Sequence, residues 1–103
     1  MGAQMSFEGF LASTKTAQVP RGLAVPLRAL WHDARGDWAK AHQLAQSVDD
    51  EAGAWVHAYL HRKEGDGMNA GYWYARARRP AATGDLAAEW EAIAREMIGG
   101  PGK

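Results

Sequence analysis

The dipeptide Gly36-Asp37 recurs as Gly65-Asp66, and the same offset of 29 residues, from 36 to 65, aligns Ala29 with Ala58, His32 with His61 and Ala41 with Ala70. Glycine ends a helix readily because it enters the left-handed region without a Cβ penalty, and aspartate opens the next by accepting from its free N–H groups. Small residues on either side of such a reversal let two antiparallel helices approach closely. The repeat therefore predicts two helical hairpins in tandem.

The rest of the chain fits that frame. Phe7, Phe10 and Leu11 form an i, i+3, i+4 set interrupted by Gly9, which predicts a short helix or a hydrophobic arm over residues 6–13. Pro20, Gly22 and Pro26 punctuate a connection, and Pro26 suits the first turn of a helix. That helix carries Leu27, Leu30 and Trp31 on one face. Asp37 then caps a second helix from Trp38 to about Ser47, striped by Trp38, Ala41, Leu44, Ala45 and Val48.

Asp49, Asp50 and Glu51 supply a cap and negative charge for a third helix, Ala52 to Glu64, and a fourth runs to about Arg78 before Pro80 stops it. Arg76, Arg78 and Arg79 there oppose the helix dipole. Asp85 introduces a last amphipathic helix through Leu86, Trp90, Ile93, Ala94 and Met97. No segment alternates with period two, so no sheet is expected. The expectation is an all-α fold: two antiparallel hairpins plus a C-terminal capping helix, about five helices, with residues 1–24 as arm and linker, 25–98 as the domain and 99–103 as a tail.

Composition narrows the function. The 12 basic residues cancel the 12 acidic ones, so the chain lacks the positive field that draws proteins to phosphate backbones, and nucleic acid is a poor partner. With no cysteine it has neither disulfides nor thiolate ligands, which suits a cytoplasmic setting. No apolar run is long enough to cross a bilayer. Met1-Gly2-Ala3-Gln4-Met5-Ser6 satisfies the short N-myristoylation pattern, with Met5 as an alternative start.

The stretch from Gly65-Asp66 through Ala70 and Tyr72-Trp73-Tyr74 to Ala77 resembles the second helix of tetratricopeptide and Sel1-like repeats, over about residues 25–80. The resemblance implies a TPR-like stack. It also marks a departure, because the family's packing aromatic before the turn is replaced by His32 and His61, with His57 one turn earlier. The string Trp55-Val56-His57-Ala58-Tyr59-Leu60-His61-Arg62-Lys63-Glu64-Gly65-Asp66, followed by Asn69-Ala70 and Tyr72-Trp73-Tyr74, is similar to a group of short uncharacterised bacterial and fungal proteins. That likeness implies no activity. Two repeat units with a terminal helix make a compact bundle, which a homodimer would extend.

His57, His61 and Glu64 share one helical stripe at i, i+4 and i+7. Neutral imidazoles at that spacing are ligands for zinc or another first-row divalent ion, with His32 or Glu64 as the third. A catalytic version would use a histidine as base, Glu64 or Asp66 to orient it, and Arg62 or Arg76 to hold an anion, with activated water as nucleophile. Helical-wheel placement puts the stripe toward water, whereas the repeat register turns it inward. Asn69, Tyr72 and Arg76 share another face suited to ligand contact. Two functions follow: a binding module for a small molecule, peptide or protein in the groove between the hairpins, or a small His/Glu metal protein or hydrolase.

Overall fold

A computed structural model describes residues 5–16 and 18–99; the myristoylation pattern at Gly2 and the residues from 100 onward lie outside them. Six helices and no strands are found among these residues: α1 Phe7–Ser13, α2 Val25–Ala34, α3 Trp38–Gln46, α4 Glu51–Glu64, α5 Gly67–Ala77 and α6 Leu86–Gly99. The all-α expectation is met, with one helix more than the five expected. The additional one is α1, capped by the Ser6 hydroxyl, which accepts from Gly9 N–H at 2.9 Å. Its Phe7 and Phe10 belong to the same core as the hairpins, Phe10 stacking on Trp90 at 5.7 Å.

The two Gly-Asp reversals have nearly the same geometry. Gly36 and Gly65 take φ of 85° and 90°. The following aspartates have φ/ψ of −105°/75° and −100°/77°, and each accepts from the N–H three residues on, that of Lys40 or Asn69. Asp37 N–H reaches back to His32 O and Asp66 N–H to His61 O, both at 2.9 Å. Equivalent turns thus reverse α2 onto α3 and α4 onto α5. The aligned small residues Ala29, Ala41, Ala58 and Ala70 are all buried where these helices meet.

Helix α4 packs against α2, α3, α5 and α6, which makes it the axis of the molecule. It is buried at seven positions: Gly53, Ala54, Val56, His57, Ala58, Tyr59 and Leu60. Because neighbours surround it, its polar groups need partners inside the protein. Tyr59 Oη donates to Asp33 Oδ2 of α2 at 2.8 Å, and Lys63 Nζ donates to Asp33 Oδ1 at 2.9 Å. Arg62 donates to Glu89 of α6 at 2.7 Å, and Tyr74 of α5 donates to the same carboxylate. Burial and the adjacent carboxylates hold both phenols protonated, with pKa values well above the ordinary tyrosine range.

Three tryptophans act as polar struts between helices. Trp31 Nε1 donates to Ser13 Oγ at 3.2 Å, Trp38 Nε1 to Leu60 O at 2.9 Å and Trp90 Nε1 to Leu30 O at 3.0 Å. Burying an indole without such a partner would cost one hydrogen bond. No helix among the described residues is long and apolar enough to cross a membrane.

Gly53 of α4 lies against the connection from α3 with no room for a side chain. A Cβ built there would lie 2.5 Å from Val48 Cγ2 and 3.0 Å from Val48 O. Gly53→Ala gains roughly 0.5–1 kcal/mol of helix propensity but forces the α3–α4 connection apart, an overpacking cost of roughly 1–3 kcal/mol. Denaturant unfolding should show a net loss of about 1 kcal/mol or more; a stability equal to wild type would mean that the connection yields freely.

Candidate metal centre

The α3–α4–α5 junction gathers three imidazoles. His42 comes from α3, one turn after Trp38; His57 and His61 come from successive turns of α4. His42 and His57 face each other with their Nε2 atoms 2.9 Å apart. One ligating nitrogen from each of the three rings lies within 4.8 Å of the others. The ring of His61 stacks on that of His57 with centroids 4.9 Å apart and an 18° interplanar angle, and His42 stands edge-on to both.

Two tryptophans hold this arrangement. Trp38 lies parallel to His42 at 4.9 Å, itself fixed by its bond to Leu60 O. Trp73 of α5 lies parallel to His57 at 3.9 Å. Indole faces on both sides deny water to the inner rings, and His57 is only 4% exposed. Its Nδ1 is buried without a hydrogen-bond partner among the described residues. An unsatisfied group of this kind costs about 1–3 kcal/mol and calls for an explanation.

Burial works against a positive charge on His57 and His42. Burial, followed by repulsion from His42 and His61, drives the His57 pKa down to about 4. Burial and the neighbouring His61 also lower that of His42. At neutral pH the His57 ring is therefore unprotonated and presents a lone pair, the form in which imidazole binds metal ions. His61, at the open edge, faces carboxylates: its Nδ1 lies 3.3 Å from Glu64 Oε1 and 3.9 Å from Asp66 Oδ2. A proton on Nδ1 directed at Glu64 would leave the His61 lone pair on Nε2, the carboxylate–histidine pairing that orients metal ligands.

The residues singled out from sequence separate into distinct locations. His57 and His61 converge as the repeat register expects, while Glu64, 49% exposed, follows the helical wheel. The third ring is His42. His32 lies against Trp31 in the first hairpin, among Lys40, Arg28 and Arg35, and is not part of the group. Arg62 is engaged by Glu89 and Gly84 O. Asn69 serves the α5 cap, its Nδ2 donating to Asp66 Oδ2 at 2.7 Å. Tyr72 and Arg76 do share an exposed face, with the Arg76 guanidinium 5.4 Å from the Trp73 ring centroid and bonded to Asp49.

His42 was missed because its repeat-mate is Gly71, so the internal alignment gives it no counterpart. Its position four residues after Trp38, on the stripe that carries Ala45, was the available signal. Comparison with protein-family models, curated proteins and solved structures finds no match to this chain, so the site is read from its own chemistry.

The depressed His57 pKa has a defined consequence for the metal-free protein. Between about pH 4 and the ordinary histidine value of 6.5 the unfolded chain binds a proton at this position and the folded chain does not. Stability is therefore highest above pH 6.5 and falls as the pH drops toward 4, by roughly 3 kcal/mol from this ring alone. Urea unfolding across that window should show the slope, and His57→Gln, which cannot take up the proton, should flatten it. An unchanged slope in the variant would assign the pH dependence to other groups.

Proposed function

We propose that this chain binds a first-row divalent ion of the zinc class through His42, His57 and His61, with a coordination position left for water or a ligand. The observation that carries the reading is the convergence of three imidazoles from two helices, walled by Trp38 and Trp73. Tetrahedral zinc with nitrogen at about 2.0–2.1 Å needs neighbouring nitrogens about 3.3 Å apart. The 2.9 Å His42–His57 pair reaches that with a small parting of the rings. All-nitrogen donors favour zinc, copper, nickel or cobalt over magnesium or calcium.

Three histidines and an exchangeable position suit an ion that also acts on a bound molecule. A water held there becomes far more acidic, so hydrolysis by metal-bound hydroxide is the chemistry such a centre supports. Glu64 and Asp66 would hold the His61 tautomer rather than ligate. The matched Gly-Asp turns support reading the hairpins as two units of a tetratricopeptide- or Sel1-like repeat, and a cysteine-free chain fits the cytoplasm.

The test is titration of the purified full chain with Zn²⁺, Co²⁺, Ni²⁺ and Cu²⁺, with X-ray absorption on the loaded protein. One ion per chain is expected, with histidine nitrogens at about 2.0–2.1 Å. His57→Ala or His42→Ala should weaken binding at least about 100-fold, Glu64→Gln about 10- to 100-fold, and His32→Ala should leave it unchanged. Failure of all four ions to bind stoichiometrically, or binding indifferent to His42→Ala, would overturn the assignment.

A further inference from the structure

An apolar recess between the hairpins lies away from the histidines, at the opposite end of α4. It is a cleft of about 370 Å³ whose floor is Pro26 and Leu27 of α2, Ala52 of α4, Ala77 of α5 and Met97 of α6. Its size falls in the range of small-molecule sites. One wall is the indole of Trp55, and the Arg79 guanidinium lies 3.8 Å from that ring's centroid. Arg79 is also pinned by its backbone, whose N–H donates to Tyr74 O at 3.0 Å.

The charges around the cleft pair off unequally. Asp50 caps α4, accepting from Gly53 N–H at 2.7 Å, and Glu51 accepts from Arg78 at 3.3 Å. Arg79 is paired with Glu96 of α6, and these two side chains are 35% and 39% exposed. An ion pair so open to water is weakly held. Stacking fixes the guanidinium more firmly than its partner, so Glu96 is the member that can turn out to solvent. What remains is a stacked, immobilised guanidinium at the rim of an apolar cavity, and guanidinium matches a carboxylate through two parallel hydrogen bonds.

We propose that this cleft binds a small amphipathic monocarboxylate, its carboxylate replacing Glu96 on Arg79 and its apolar body lying over Trp55, Leu27 and Met97. The acidic rim of Asp50 and Glu51 disfavours ligands of higher negative charge. This site is independent of the metal centre: it shares no residue with the histidine group.

The probes are 4-phenylbutyrate, 4-phenylbutanol and 4-phenylbutylammonium, titrated into the full-length protein and followed by NMR at the Trp55 indole N–H and the Met97 methyl. The carboxylate should shift both signals and bind at least about tenfold more tightly than the alcohol or the amine. Glu96→Gln, which weakens the internal competitor, should tighten phenylbutyrate about two- to fivefold. Arg79→Met, which keeps a side chain over the indole without the charge, should erase the preference over the alcohol. Equal binding of all three probes, preference for the amine, shifts confined to other parts of the protein, or weaker binding by Glu96→Gln would each overturn the proposal.

Discussion

Everything in this fold depends on α4 having no free side. Four helices pack around it, so each polar side chain along its length is compelled to find a partner on a neighbour. Tyr59 and Lys63 turn to Asp33 on α2, Arg62 turns to Glu89 on α6, and His57 turns to His42 on α3. The first two arrangements are complete: buried carboxylates meet cations and phenols. The third differs, since three like groups meet, none can be charged without repelling the others, and one nitrogen is left over. Structural logic closes the first two networks and leaves the third chemically open.

The helices and their ends could be read from the chain because they rest on local chemistry. Asp37, Asp50 and Asp66 cap as expected, and Gly36 and Gly65 take the left-handed conformation that the repeat demands. Partners far apart in sequence were less legible. The facing of His57 and His61 was ambiguous because a helical wheel assumes one wet face, and α4 does not have one. The role of α1 was underestimated for a similar reason: seven residues make a weak helix alone, and the core surface that Phe7 and Phe10 cover, Trp90 of α6 included, comes from residues far along the chain.

The arginines after α5 show the same limit in another form. Their positions suggested charges opposing a helix dipole. In the folded chain Arg76 reaches Asp49, Arg78 reaches Glu51, and Arg79 lies on Trp55 and meets Glu96. All three ion pairs are open to water, so they set the end of α5 beside α4 and α6 without holding it strongly. Arg78 itself closes α5 with φ of 60°, a left-handed conformation otherwise taken by glycines among the described residues, its N–H donating to Ala75 O. Sequence reveals charge, but the surroundings decide what each charge does.

The second hairpin turn joins architecture and chemistry in a single five-residue loop of contacts. His61 gives its carbonyl to Asp66 N–H and its ring to the Glu64 carboxylate, while Asp66 starts α5 and so places Trp73 over His57. The first turn, nearly equal in backbone, has a parallel duty: Asp37 starts α3 and so places Trp38 and His42. A chain lengthened by a residue at Gly36 would re-aim His42 and the Trp38 indole beside it, whereas the same insertion at Gly65 would move Asp66 and the covering indole of Trp73. Each reversal thus sets the length of chain that brings one indole wall to the histidines, and neither can lengthen without moving that wall.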